Sequence, residues 1–386
     1  MIQETTLITG DVLTPEVALR PGYIVVRDQR IAAVGRGAPP RLPGARHLEA
    51  GIIAPGWIDL HIHGSGGFDL MGGDDAVRGV SRALVRHGCT SYLPTTITAP
   101  WDQTLDAVGS IARVCAAPDP SGAQPVGMHL EGPFIHPKRP GMARTDWVRP
   151  HDLDELRTLL AAGDGCVRLM TLAPELPRGL EMVSELVGRG IVASVAHSDA
   201  TYQDMVDAAG AGARHLTHAF NAMRGLHHRE PGTIGGALDL EAFTVEAIAD
   251  GIHSHPAALR LLWRVKGWRR MALVTDAMPA AGGASGVYAF GGQKVTVRDG
   301  QARLDDGTLA GSMLTMDQAI RVMVTCGVPA EQALGMASLT PASILGLRDR
   351  GQIAPGLRAD LVALTPELSV RWTMVGGLVV WQAAGE

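Results

Sequence analysis

Two histidines one residue apart, His61-Ile62-His63, close the apolar run GWIDLHIH and are followed at once by the glycine-rich GSGG. On a strand, residues i and i+2 point to the same face, so the two imidazoles project together, as two metal ligands must. A lone His-x-His is more often structural than ligating. Here, though, four other apolar runs close on a polar group: QPVGMHLEG on Glu131, IVASVAHSD on His197, ARHLTHAFN on His218 and MALVTDA on Asp276. A buried charge or imidazole needs a partner, and five converging strand ends point to a metal centre rather than to separate satisfied core groups. Imidazole and carboxylate donors without thiolate suit Zn, with Fe, Mn or Co as alternatives that donor type does not separate. His61, His63 and Asp276 can hold one ion and His197 with His218 a second, Glu131 bridging; the minimal version is one ion on Glu131, His197 and His218.

These residues need a scaffold that gathers strand ends. Residues 56–345 alternate short apolar runs with amphipathic segments such as AVRGVSRALVRHG, HDLDELRTLLAAG, GLEMVSELVGRG and TYQDMVDAAGAG, whose apolar positions recur every three to four residues and which mostly stop at Gly. Eight strand runs can be counted: the five above, with TSYLPTT, VRLMTLAPE and FTVEAIADG. Strands alternating with helices predict a (β/α)8 TIM barrel, in which chemistry sits at the C-terminal strand ends. Residues 1–55 and 346–386 are β-rich and turn-punctuated, with a hairpin at Asp28-Gln29. They are expected to pair into a small discontinuous β-sandwich domain, and residues 286–308 into a β-hairpin inserted near the last barrel strand.

The 386 residues exceed the roughly 250 of a bare barrel, leaving room for that second unit. With 46% hydrophobic residues, 19% charged and a net charge of −5, the chain has the makings of a large core and no basic stripe for nucleic acid. No apolar run approaches the roughly 20 residues of a membrane span, and the opening MIQETTLITG lacks the apolar stretch of a signal peptide. Cys89, Cys115, Cys166 and Cys326 form no C-x-x-C pair and are expected to be buried thiols, so the protein is expected to be cytoplasmic.

Over nearly its full length the chain resembles the N-acetylglucosamine-6-phosphate deacetylase family of the amidohydrolase superfamily. GWIDLHIHGSGGFD, HLEGPFIHPKR, VAHSDATY, LTHAFNAM, HHREPG, DGIHSHP, LVTDAMPAAG, LAGSMLTMDQA and GQIAPGLRADLVAL carry the resemblance, in the family's order. It implies a divalent metal, with Glu131, His197 and His218 as the main ligands. His61 and His63 match members that fill a second site, so one or two ions are expected. Asp276 takes the place of the catalytic acid/base. Asn221 and Ala222 fall where the family contacts the sugar, and His253 and Arg229 where it contacts the phosphate. The Arg reaches in from a neighbouring subunit, which implies a homodimer. Met142, and Ala310 and Gly311 in LAGSMLTMDQA, join the substrate-binding set. One departure stands out: the family usually reads KRKGAH where Lys138–Arg144 reads KRPGMAR, which puts Ala143 where a polar side chain is expected and leaves Arg144 to reach toward the gap.

The chemistry follows. A bound divalent ion brings the pKa of its water toward about 7. Asp276 would take the proton as hydroxide attacks the acetamide carbonyl and would pass it to the departing amine. The expected substrate is N-acetylglucosamine 6-phosphate, a small amino-sugar phosphate. The alternative is a related N-acyl amino sugar: the galacto epimer, an unphosphorylated sugar or a biosynthetic intermediate. A cyclic-amide hydrolase would bridge its ions with a modified lysine, and no strand run carries one. A non-catalytic sugar-phosphate binder would have lost a ligand or Asp276, and none is missing. His227 and His228 could add donors to Arg229. His255 reads as a helix start, and His129 and His215 as core groups or groups behind the ligands.

Overall fold

Every residue of Cys89–Thr96 is buried, and so is every residue of Trp57–Ile62. Strands apolar on both faces are what a parallel sheet covered by helices demands. The computed structural model, which describes residues 5–384, forms eight such strands in the expected runs. They are β5 (Trp57–Ile62), β6 (Cys89–Thr96), β7 (Met128–Glu131), β8 (Val167–Leu172), β9 (Val192–Val195), β10 (His215–Leu216), β11 (Thr244–Ile248) and β12 (Met271–Val274). They are hydrogen-bonded in sequence order and parallel throughout. The ring is completed where β12 ends beside β5: Asp276 N donates to His61 O at 2.8 Å and His63 N to Ala277 O at 2.9 Å. Below them the fully buried Asp59 accepts from Thr275 Oγ1 at 2.6 Å. Burial pushes that carboxyl up to about 7, against the Thr275 hydrogen bonds.

Helices pack around the ring with their apolar faces inward, and their starts are written locally. Asp152 accepts from Asp154 N and Glu155 N ahead of Leu153–Ala162, and Thr201 with Asp204 forms a reciprocal capping box ahead of Tyr202–Ala211. His255 caps Pro256–Lys266 by accepting from Ala257 N, the helix start expected of it.

The two ends of the chain meet in one seven-stranded mixed sheet. Its strands are β1 (Thr5–Leu13), β2 (Ala18–Arg27), β3 (Arg30–Arg36) and β4 (Arg46–Pro55) from the N-terminal side, and Leu361–Leu364, Val370–Val375 and Leu378–Gln382 from the C-terminal side. Leu361–Leu364 pairs with β4, and the segment just before it bonds to β3, with Ile31 N donating to Leu357 O at 2.9 Å. The sheet thus folds over a core that includes Ile8, Ile24, Ile31, Leu361, Trp372 and Met374. The expected hairpin at 286–308 is instead a three-stranded meander, Gly286–Phe290, Gln293–Arg298 and Gln301–Arg303. The third strand follows a turn at Asp299-Gly300, both with positive φ, a tight hairpin connection of the type Asp-Gly favours. Of the four free cysteines, Cys89 and Cys326 are buried as expected, whereas Cys115 and Cys166 are half-buried. Among the described residues no helix is long and apolar enough to cross a membrane.

Candidate metal centre

Three of the site residues arrive by one repeated device. His197, His218 and Asp276 each lie two residues beyond the last residue of their strand, at Val195, Leu216 and Val274. Each has a left-handed backbone, with φ of 46°, 31° and 48°. Such conformations cost non-glycine residues on the order of 1–3 kcal/mol and persist where the surroundings enforce them. At Asp276 the enforcement is visible: its N–H bonds to His61 O, and its own carbonyl accepts Ser312 N at 2.7 Å. His61 and His63 come from alternate positions around the end of β5, and Glu131 is the last residue of β7.

The side chains converge tightly. Glu131 Oε1 lies 3.0 Å from His218 Nε2, 3.2 Å from His197 Nε2 and 3.3 Å from His61 Nε2, while Oε2 lies 3.3 Å from His63 Nε2. Asp276 Oδ1 lies 3.2 Å from His63 Nε2 and 3.6 Å from His61 Nε2. Two donor groups result, His61–His63–Asp276 and Glu131–His197–His218, with the carboxylate of Glu131 facing both.

The outer ring nitrogens decide what the centre can hold. His61 Nδ1 faces Glu246 Oε2 at 3.1 Å, His63 Nδ1 faces Thr95 O at 3.3 Å and His197 Nδ1 faces Arg139 O at 2.8 Å. All three partners are acceptors, which assigns the proton of each neutral imidazole to Nδ1 and leaves its Nε2 as a lone pair. Those lone pairs point inward, His61 at His63 across 3.1 Å and His197 at His218 across 3.1 Å. Facing lone pairs beside two carboxylates repel unless a cation lies among them, so the donor set fits divalent metal.

The electrostatics agree. Burial would raise the Glu131 carboxyl, but the imidazoles of His61, His197 and His218 gathered around it hold it well below the usual range. Asp276 is likewise held down, against burial, by His61 and His63. Burial opposes charge on His61 and His63, yet the carboxylates lift His61 well above its ordinary value and His63 to about 9. A field that draws protons onto these imidazoles also draws a cation between them.

Above the donors opens a cavity of about 380 Å³. Of the residues expected at the substrate, Asn221, Ala222, Met142, His253 and Gly311 line it, as does Ala143. Ala310 does not: it is wholly buried in the apolar cluster of the inserted meander, behind Gly311. Arg229 is exposed and outside the lining of its own chain's cavity, with Nη1 3.0 Å from His228 Nε2. His227 and His228 are exposed beside it. Arg144 does not reach toward Ala143, because it turns to Asp146 at 2.8 Å and stacks on Trp147. His253 is held by Asp250 through Nδ1 at 2.7 Å, which outweighs burial and raises its pKa. His129 is buried against Thr171 and His215 against Glu246, groups of the core and of the layer behind the converging side chains.

The loop over the centre is latched to it. His136 N donates to His197 O at 2.7 Å. Arg139 and Arg224 both grip Asp199, at 2.8 and 2.9 Å, which joins the loop carrying Met142 to the segment that leads to Arg229. Against burial, the two guanidinium groups bring the Asp199 carboxyl down to about 2.

Sequence reasoning missed Arg303, which lines the cavity from the meander, and Glu246, buried behind His61. Glu246 had a signal: it is the one charge inside the strand run TVEAI, and a charge there must be paired. Arg303 had none, since only the fold of the insertion brings it to the mouth.

A model of the Amidohydrolase family matches residues 52–380. An N-acetylglucosamine-6-phosphate deacetylase of Bacillus subtilis (strain 168) is 39% identical over 380 residues, 96% of this chain and 95% of that protein. An N-acetylgalactosamine-6-phosphate deacetylase of Escherichia coli O157:H7 is 38% identical, over 95% of this chain and 96% of its own length. Among solved structures, a mutant N-acetyl-D-glucosamine-6-phosphate deacetylase from Mycobacterium smegmatis, in complex with N-acetyl-D-glucosamine-6-phosphate, superposes with a TM-score of 0.93 at 38% identity, over 98% of this chain and 99% of that one.

Proposed function

The chain belongs to the amidohydrolase family, and from that premise we propose that it hydrolyses the acetamide of N-acetylglucosamine 6-phosphate to glucosamine 6-phosphate and acetate. The observation that carries this reading is the joining, in one cavity, of the imidazole–carboxylate centre with the basic groups His253 and Arg303. The likeness to the Bacillus subtilis and Mycobacterium smegmatis deacetylases supports it.

Glu131, His197 and His218 would hold one divalent ion, and His61, His63 and Asp276 a second; zinc suits the donors. Such an ion supplies, when bound, a more acidic water and polarisation of the substrate carbonyl. Asp276 is the proton carrier. Its carboxylate, held ionised, takes a proton from the water whose oxygen bonds to the acetyl carbon, and delivers it to the nitrogen as the C–N bond breaks. Asn221 and the backbone at Ala222 meet the sugar, and Met142 and Gly311 wall it in. His253 and Arg303 face the phosphate. Arg229, exposed and outside the lining of its own cavity, adds a guanidinium fork to the site of a second copy in a homodimer. A cytoplasmic setting suits four cysteines that stay as thiols.

A second reading, the galacto epimer, is favoured by Ala143 in the cavity wall, with Arg144 turned away from it, and by the likeness to the Escherichia coli enzyme. Values of kcat/KM for the two 6-phosphates and for unphosphorylated N-acetylglucosamine decide. We expect N-acetylglucosamine 6-phosphate to lead. A clear lead for the galacto epimer installs the second reading, and a lead for the unphosphorylated sugar removes both.

A further inference from the structure

A carboxylate touching both halves of the metal centre has no part in the chemistry above. Glu246, on β11, is wholly excluded from solvent. Its Oε2 lies 3.1 Å from His61 Nδ1 and accepts the backbone N–H of His218 at 3.2 Å, while Oε1 lies 3.0 Å from His215 Nε2. His215 extends the chain to Thr244 Oγ1 at 2.7 Å, toward the opposite end of the barrel. Burying a carboxylate costs several kcal/mol unless hydrogen bonds compensate, and for packing alone an apolar residue would serve the barrel core better.

We propose that Glu246 is a positioning residue: it fixes His61 as the Nδ1–H tautomer with Nε2 aimed into the centre, and thereby sets the affinity of the ion on His61, His63 and Asp276. The alternative tautomer shows why this matters. With its proton on Nε2, His61 would donate to His63 Nε2, 3.1 Å away, and a histidine–histidine hydrogen bond would close the gap that the ion needs. An acceptor on Nδ1 prevents this. The edge-on stack of His129, with ring centres 4.7 Å apart, limits ring rotation but offers His61 no acceptor at that nitrogen. His215 secures the carboxylate from its other oxygen. A ligating histidine is commonly oriented by a carboxylate on its second nitrogen, and loss of that partner costs about 10–100-fold in metal affinity.

The inference rests on the two-ion reading, and the test separates the two. Metal per chain is counted for the wild-type protein, Glu246→Gln and Glu246→Leu, and the affinity of each ion is measured by chelator competition. The imidazole N–H proton of His61 is followed by NMR in the same samples. Expected are two ions in the wild type, a second-ion Kd about 10–100-fold weaker in Glu246→Gln, and one ion in Glu246→Leu, with the His61 N–H signal lost in the latter. Two ions of unchanged affinity in both variants overturn the inference and leave the two-ion reading standing. Equal weakening of both ions overturns it too, since that is what a merely structural role would give. One ion in the wild type ends the two-ion reading, and the NMR signal then decides: its loss in Glu246→Leu supports the tautomer assignment, and its persistence overturns it. Should Glu246→Leu fail to fold, the isosteric Glu246→Gln carries the comparison of the two affinities.

Discussion

Asp276 sits where a change of one atom should separate binding from turnover. Its carboxylate lies near His61 and His63, while Glu131, His197 and His218 form a donor group that does not depend on it. Asp276→Asn is therefore expected to keep the ion on that group and to lower kcat by about 10²–10⁴-fold, the contribution of a general base. Steady-state rates with parallel metal analysis check this; near-normal turnover would remove the assigned role. The convergence of these six side chains was legible because each closes an apolar run, and a polar side chain at the end of a buried strand has few things to do. Glu246 was harder to find because it lies inside its run, and Arg303 because nothing local marks it. Ala310 and Gly311 show the finer limit of motif reading. Adjacent residues of one matched segment diverge, the methyl of Ala310 packing inward while the backbone of Gly311 faces the cavity.

Elements, rather than single side chains, give the centre its loops. The Arg139–Asp199–Arg224 clamp ties the Met142 loop to the segment leading to Arg229, and His197 Nδ1 is satisfied by the loop carbonyl of Arg139. Asp199 has a depressed pKa, about 2 against an ordinary 3.8. A lowered carboxyl stabilises the fold in full above its unfolded value, and that contribution is lost as pH falls toward the folded value. Denaturant unfolding of wild type and Asp199→Asn across acid pH should thus show the wild type ahead down to about pH 4, with the gap closing below it. A gap independent of pH would mean that the clamp does not act through its charge. The eight strands could be read from periodicity, and the helix start at His255 from its place in the sequence. The single hairpin expected at 286–308 falls one strand short of the meander, because the chain turns again at Asp299-Gly300, and Val295, Val297 and Ala302 bury into one cluster with Phe290. The positive φ at His197, His218 and Asp276 leaves no mark in sequence, since it is imposed by strands that neighbour one another only in the barrel.

The whole molecule brings the two chain ends together in one sheet beside a ring completed at the catalytic face. That both ends are β-rich was plain in composition; that their sheet folds over one core depends on the pairing of the Leu357 segment with β3, a contact across more than 300 residues. The same scale governs Arg229. In a twofold dimer that exchanges this arginine, each site combines one copy's Asp276 with the other's Arg229. Mixing Arg229→Ala and Asp276→Asn proteins under conditions of subunit exchange should then restore about a quarter of wild-type activity, through mixed dimers with one intact site each. Activity no greater than the sum of the two inactive proteins would place Arg229 within its own chain's site or outside the reaction.

The central claim, metal-dependent removal of an acetyl group from an amino-sugar phosphate, is met most directly by measuring acetate release from N-acetylglucosamine 6-phosphate before chelation, after it and after return of divalent metal. The inward-facing lone pairs of His61, His63 and His197 and the carboxylates of Glu131 and Asp276 predict acetate in step with glucosamine 6-phosphate, its loss on chelation and its recovery with metal. Acetate release undiminished by complete removal of metal, or none from the fully loaded protein, would contradict it.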